Sequence, residues 1–179
     1  MSLQSFVLPG LLVLLIGLAG TAPARAEMLE FPTPQGVKSW PKLPDIPEWH
    51  QDQESSLRLA ANSLIPDGVD PANAEVSIQA RGFARRGAAT SVSELLENDR
   101  AAAPAGTQVK QIADVADKDG TPFNLYVFAN LGSLRAVAYS EEGDYLLAFT
   151  FNARSQAAYD RNFPAFVSLI RKYAREIPW

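Results

Sequence analysis

The sequence predicts an α+β domain in which an antiparallel β-sheet is sandwiched by helices. Three observations predict this class. Several stretches alternate apolar and polar residues, which indicates half-buried strands, and turn residues separate them. Two other segments show capping residues or apolar spacings of three and four, which indicate helices. The predicted order is a β-hairpin, a helix, a β-meander and a C-terminal helix.

The first strand pair is predicted on either side of a Pro-Asp-Gly turn. Apolar residues alternate with other residues from Leu57 to Asn62, and the run ends at Pro66-Asp67-Gly68. A second alternating run extends from Val76 to Arg81. We therefore expect a hairpin whose strands are joined through residues 67–74.

A capping box predicts the next helix. Ser91 and Glu94 stand three residues apart, so the Ser91 side chain can accept from a free N–H of the first turn while Glu94 reaches back. Leu95 and Leu96 follow. The helix is expected from Val92 to Ala103, just before Pro104.

Four further strands are predicted as a meander, because Gly-containing turns separate the alternating runs. One of these turns, Asp117-Lys118-Asp119-Gly120, lacks the full register of a calcium loop and is interpreted as a hairpin turn. The predicted strands are Val109–Val115, Phe123–Phe128, Leu134–Tyr139 and Tyr145–Phe151.

The C-terminal segment carries an aromatic stripe at helical spacing. Ser155 is its predicted N-cap. Pro164 removes one backbone donor, so we expect it to kink or divide the helix near Asn162. The stripe consists of Tyr159, Phe163, Phe166, Ile170 and Tyr173.

The first 26 residues are predicted to be a cleavable secretory signal peptide. An apolar run from Phe6 to Leu18 is followed by Ala24-Arg25-Ala26, an A-x-A cleavage pattern. Pro9 and Gly10 interrupt the run, which is shorter than the roughly 20 residues of a membrane span. An uncleaved anchor is the alternative. Cleavage predicts a periplasmic or secreted protein without a stable membrane span.

Residues 27–47 are predicted to be a proline-rich extended arm, and residues 48–179 a single domain. Five prolines occur between Phe31 and Pro47, and each restricts its own backbone and that of the preceding residue. Trp40, Ile46 and Trp49 favour an arm that lies against the domain, and a flexible linker is the alternative.

Composition excludes several functional classes. The chain has no cysteine, so disulfides, thiol catalysis and Cys-type zinc sites are excluded. It carries 16 Lys and Arg against 20 Asp and Glu, which disfavours nucleic-acid binding. No cofactor is predicted.

Three sequence features together resemble the PsbP-like superfamily. Trp49 precedes an acidic stretch, Ser63-Leu64-Ile65-Pro66 closes a strand, and the run from Gly143 to Ala153 leads into a Tyr/Phe-rich helix. The resemblance spans roughly Trp49 to Tyr173, and its motifs are structural. It implies an antiparallel sheet between helices and a role in binding or accessory assembly, with no functional residue carried over.

The acidic stretch around the single histidine is the candidate metal site. If the backbone is extended there, Glu48, His50, Asp52 and Glu54 project to one face, because strand side chains alternate. One imidazole with carboxylates suits zinc or manganese. A solvated face with Trp49 pointing inward is the alternative.

Arg81, Arg85 and Arg86 form a compact basic group in the sequence. They are a candidate docking patch for an acidic partner or anionic headgroup, and a solvated loop is the alternative.

No catalytic residue is predicted. His50 is the only imidazole available to a Ser-His-Asp triad, and no Gly-x-Ser-x-Gly motif occurs. The sequence therefore predicts an exported, non-catalytic binding or accessory protein of the cell envelope with a protein partner. A metal- or small-ligand-binding protein using the stretch around His50 is the alternative, and a hydrolase with paired carboxylates is a third hypothesis.

Overall fold

The computed structural model describes residues 28–33, 36–85 and 89–175. Within these ranges the chain contains an antiparallel seven-stranded sheet, a separate two-stranded sheet and three helices. The predicted mixture of helices with an antiparallel sheet is confirmed at this level. The predicted signal peptide, residues 1–26, lies outside the described residues. None of the helices in the described ranges is long and apolar enough to span a membrane.

The strands of the large sheet follow the order β3-β4-β5-β9-β8-β7-β6, and all neighbours run antiparallel. The remaining strands, β1 and β2, pair with each other. The strands are β1 (Met28–Thr33), β2 (Gly36–Pro41), β3 (Trp49–Gln51), β4 (Asn62–Pro66), β5 (Val76–Ala84), β6 (Gln108–Ala116), β7 (Pro122–Asn130), β8 (Ser133–Glu142) and β9 (Tyr145–Ala153). The helices are α1 (Gln53–Leu59), α2 (Val92–Ala102) and α3 (Gln156–Lys172).

The larger apolar core contains side chains from α3 and from alternate positions of the central strands. Leu147, Phe149 and Phe151 of β9 are fully buried there. The ring of Phe166 in α3 is stacked on that of Phe151, with 5.7 Å between their centroids. Since a buried aromatic side chain contributes about 3 kcal/mol, this cluster is a main source of stability.

A smaller apolar cluster contains side chains from α2. Leu95 and Leu96 pack with Leu146 and Tyr139, which occupy the strand positions alternating with those of the larger core. The Tyr139 hydroxyl donates to Asp99 of α2 at 2.5 Å. Burial, and then this carboxylate, raise the pKa of Tyr139 above its ordinary value, so the hydroxyl stays a donor. These contacts fix α2 to β8.

The structure corrects the first predicted strand. The chain is helical from Gln53 to Leu59, because Asp52 acts as N-cap and its carboxylate accepts from the Ser55 N–H at 3.1 Å. Ala60 ends the helix in the left-handed region at φ 50°. The alternation at Leu57 therefore did not indicate a strand. A stretch this short fits both the two-residue period of a strand and the 3.6-residue period of a helix.

Pro164 does not divide α3, which is one helix from Gln156 to Lys172. Of the two outcomes expected near Asn162, the division is wrong, and the kink stays a prediction. Pro164 is exposed, so water can satisfy the carbonyl that loses its helical donor. The neighbouring Phe163 and Phe166 pack against the core and hold both halves of the helix to the sheet.

The predicted start of α2 is confirmed, because Ser91 is the N-cap and accepts from the Glu94 N–H at 3.2 Å. The second hydrogen bond of the capping box differs from the prediction. The Glu94 carboxylate accepts from the N–H and the hydroxyl of Thr90, each at 2.8 Å, and not from the N–H of Ser91. Glu94 therefore stabilises the residue before the cap.

The proline-rich segment forms a two-stranded ladder in its described part. Met28 pairs with Pro41 at one end and Thr33 with Gly36 at the other. Trp40 is 2% exposed, and Ile46 belongs to the larger core. The end of this segment is thus packed on the domain.

Candidate binding groove on the sheet

An open groove lies on the face of the large sheet that carries α2. Its volume is about 550 Å³, and it lies beyond the C-terminal end of α2 at Ala102 and Ala103. Residues of α1 and of the loop before β5 form its other walls. This volume is within the range of about 300–1,000 Å³ typical of small-molecule sites.

The floor of the groove consists of polar side chains on adjacent strands. Arg135 of β8 lies opposite Asn152 of β9, which in turn lies opposite Ser77 of β5. Gln79 of β5 and Ser63 of β4 are also paired and line the same groove. Because directly paired residues point to the same face of a sheet, these side chains form one continuous polar surface.

The polarity of this floor explains why α2 leaves it open. The part of the sheet that α2 contacts is apolar, with Val137 and Leu146 fully buried. Two residues before Val137 on β8, Arg135 lies opposite Asn152, whose side-chain amide donates to the Ser77 hydroxyl oxygen at 3.4 Å. An apolar helix over this region would leave the remaining donors and acceptors of these side chains unsatisfied, at a cost of about 1–3 kcal/mol each.

Three arginines from different elements line the groove. Arg58 comes from the last turn of α1, Arg135 from β8, and Arg154 from the segment after β9. Glu75 is the one acidic residue among the described lining residues. Three positive charges against one negative give the lining a formal charge of +2, in a chain whose own net charge is −4.

These arginines have no carboxylate partner within 4.0 Å among the described residues. Arg58 donates to the Ser55 hydroxyl and Arg154 to the Ala72 carbonyl, both at 3.3 Å. The guanidinium carbon of Arg135 lies 4.3 Å from the centre of the Phe128 ring. Since a guanidinium has five N–H donors, each arginine keeps most of its hydrogen-bonding capacity available.

A fourth arginine supports one wall of the groove. Arg81 of β5 donates to the carbonyl of Leu59 at 3.1 Å, and Leu59 lines the groove at the end of α1. A cation at the C-terminal end of a helix also interacts favourably with the helix dipole. Arg81 therefore holds α1 against the sheet.

A buried charged cluster occupies the other end of the sheet. Arg175, after α3, pairs with Asp117 and donates to the Ser140 hydroxyl at 2.7 Å and to the Glu141 carbonyl at 2.5 Å. The side chains of Arg175 and Asp117 are 7% and 0% exposed. The other Asp117 oxygen accepts from two backbone N–H groups of the β6–β7 turn. The cluster thus ties the chain after α3 to that turn.

Glu142 belongs to the same cluster. Burial raises its pKa to about 7, against the opposing effects of the Tyr173 hydroxyl and of Arg175. The hydroxyl donates to Oε2 at 3.0 Å, and Oε1 is buried without a hydrogen-bond partner among the described residues. Glu142 is seven residues from Arg135 along β8, a distance of about 23 Å in a strand. The cluster and the groove are therefore separate.

The metal-site prediction rested on an extended backbone that the structure does not have. Strand β3 ends at Gln51, Asp52 caps α1, and Glu54 lies in its first turn. Glu48 has a φ of 67°, and His50 Nδ1 lies 3.0 Å from Asp67 Oδ1. The four predicted ligands thus do not share one strand face, because the chain turns into a helix between them. The described residues contain no group of three or more His, Cys, Asp or Glu suited to a metal ion.

Two of the three arginines in the predicted docking patch already have partners within the chain. Arg81 is half-buried and donates to the Leu59 carbonyl. Arg85 pairs with Glu141 at 2.5 Å. Arg86 lies outside the described residues. The two described arginines are four residues apart, or about 13 Å along a strand.

Sequence reasoning missed the groove. Ser77, Gln79 and Arg81 were interpreted as the polar side of a half-buried strand, which is correct locally. The missing information was which residues lie beside them on β8 and β9, more than fifty positions away in the sequence. The signal that remained was the polar interruption of otherwise apolar strands at Arg135 and Asn152.

Comparison with known proteins identifies the fold without a family. No family model matches the chain, and neither does any curated protein sequence. Among solved structures, the chain is similar to PA94 of Pseudomonas aeruginosa, a protein of unknown function. The two share 17% sequence identity with a TM-score of 0.50, and the match covers 85% of this chain and 99% of the other. At this identity the likeness concerns the fold alone.

Proposed function

We propose that this protein is an exported, non-catalytic binding protein of the cell envelope that holds its ligand in the sheet groove. The observation that carries the proposal is the open polar floor, where hydrogen-bonding side chains from several strands face a cavity of about 550 Å³. Ligand sites typically combine a concave surface with a few convergent polar groups. A cavity of this size favours a small ligand over the protein partner expected from the sequence.

The absence of a catalytic role is part of the same proposal. Among the described residues that line the groove there is one carboxylate, Glu75. The hydroxyl groups of this lining belong to Ser55, Ser63, Ser77, Thr107 and Ser133. General acid–base catalysis needs a suitable proton acceptor within hydrogen-bonding reach of the reacting group. His50 is not among the lining residues, so these serines have no imidazole among the groups that line the cavity.

We propose two further properties of this chain. The first is membership of the PsbP-like superfamily. The second is a sheet sandwiched by helices, which is supported by the separate apolar clusters that contain α2 and α3. An experimental structure tests the second, and export is tested by the N-terminus of the protein isolated from its natural host. We expect a periplasmic or secreted chain that begins at Glu27.

A ligand screen with a blocked groove tests the function. Ser77→Trp places a large ring on the groove floor, and Gln111→Trp places the same ring on an exposed position of β6. Both variants are first checked for native circular dichroism and cooperative unfolding. Small molecules that raise the melting temperature of the wild type and of Gln111→Trp, but not of Ser77→Trp, are the expected result. A ligand at a hundred times its dissociation constant adds about 2.7 kcal/mol of apparent stability.

Asn152→Tyr is a second blocking variant if Ser77→Trp does not fold. Ligands that stabilise the blocked and the open proteins equally would place the binding site elsewhere. A diverse screen in which no compound stabilises the wild type would count against a small-ligand function.

A further inference from the structure

We propose that the groove binds a small dianion, that is, an organic dicarboxylate or a phosphate monoester. This inference rests on the proposed function and names the ligand class of the same site. The charge of the lining favours this class, because three arginines and one glutamate give it a formal charge of +2. A ligand with two negative charges neutralises this lining.

The geometry of the arginines favours an oxyanion over other anions. A guanidinium presents parallel N–H donors that match two oxygens of a carboxylate or phosphate group. Arg58 and Arg154 each use one weak hydrogen bond to the protein, at 3.3 Å, and neither has a carboxylate partner among the described residues. Their remaining donors are available to a ligand.

Arg135 is the half-buried one among the three arginines that line the groove. Its guanidinium lies over the Phe128 ring, and its strand position places it opposite Asn152, which in turn lies opposite Ser77. An aromatic ring beneath a guanidinium fixes its plane and leaves the N–H edge available for hydrogen bonding. We infer that Arg135 donates hydrogen bonds to one anionic group of the ligand. The neutral side chains of Asn152 and Ser77 then bind polar atoms in the middle of the ligand.

Arg58 and Arg154 supply the rest of the positive charge of the groove. Both are exposed and come from α1 and the segment after β9, whereas Arg135 belongs to the floor. We expect their side chains to attract the second negative charge of the ligand. Because these two arginines are solvent-exposed, their contribution falls as salt concentration rises.

Titration calorimetry with defined probes tests this inference on the full chain. Succinate, glutarate and glycerol 3-phosphate are the dianions, and succinamide and glycerol are their neutral counterparts. We expect at least one dianion to bind and its neutral counterpart not to bind, with weaker binding at higher salt. Arg135→Gln should weaken that binding at least about tenfold. Arg171→Gln, which removes an exposed arginine of α3, should leave it unchanged.

The outcomes separate the ligand class from the site. Neutral probes that bind as tightly as the dianions, with binding lost in Ser77→Trp, would overturn the dianion inference and leave the groove as the binding site. An acidic hexapeptide that binds more tightly than every small dianion would overturn the small-molecule class. If no probe binds and a broader screen finds no ligand that is lost in Ser77→Trp, both the inference and the proposed function fail.

Discussion

Glu142 should make the protein less stable as the pH rises from about 4.5 to 7. Folding raises the pKa of this carboxyl from its ordinary value of 4.5 to about 7, chiefly through burial. Between these two values the folded state binds more protons than the unfolded state, so stability falls as pH increases. Below pH 4.5 the Glu142 carboxyl is protonated in both the folded and the unfolded state. Above pH 7 the full penalty, that is, the loss of unfolding free energy, is present.

The size of this penalty follows from the difference in pKa. A difference of about 2.5 corresponds to about 3 kcal/mol, since each unit is worth 1.36 kcal/mol. Glu142→Gln has nearly the same shape as the protonated acid and cannot ionise. We therefore expect the variant to match the wild type near pH 4.5 and to exceed its unfolding free energy by about 3 kcal/mol at pH 8.

Urea unfolding at pH values from 4.5 to 8 measures this difference directly. Glu141→Gln is the matched control, because Glu141 is the preceding residue, is about half exposed and pairs with Arg85. Its effect should remain within about 1 kcal/mol, as is usual for surface pairs. A Glu142→Gln variant that is less stable than the wild type at pH 8, or whose advantage does not change with pH, would refute the reasoning.

Three further predictions concern the contacts that hold helices and the chain end to the sheet, each measured by urea unfolding at pH 7. Arg175→Met leaves the Asp117 carboxylate buried without its cation and should cost about 3–5 kcal/mol. Tyr139→Phe removes the donor to Asp99 and should cost about 1–3 kcal/mol. Phe166→Ala opens a cavity beneath α3 and should cost about 3–5 kcal/mol, because its ring is fully buried.

Matched substitutions at less buried positions are the controls for these three variants. They are Arg171→Met on α3, Tyr145→Phe at the start of β9, and Leu57→Ala, whose side chain is 47% exposed. Each should change the unfolding free energy by less than about 1 kcal/mol. If a control lowered the unfolding free energy as much as the variant it is matched to, burial and the named contact would not explain the lower stability of that variant.

The sequence predicted those elements whose signals are local. The ends of strands β6 to β9 were predicted to within three residues, because alternating runs and Gly-containing turns are properties of neighbouring residues. The caps at Ser91 and Ser155 were found for the same reason. Helix α1 was missed, because seven residues are too few for the helical period to be distinguished from alternation.

The groove and the buried cluster were not predicted, because both depend on pairings between distant residues. Ser77 and Asn152 become neighbours only through the register of β5 and β9. Arg175 and Asp117 are 58 positions apart and meet because the chain after α3 returns to the β6–β7 turn. No local pattern specifies such contacts.

Backbone amide chemical shifts of the isotopically labelled chain, recorded during titration with succinate and with glycerol 3-phosphate, test the central claim most directly. We expect saturable shifts concentrated at Ser77, Gln79, Arg135 and Asn152, with little change in α3. Shifts concentrated around His50 and Glu54, or no saturable shift with either compound, would contradict this claim.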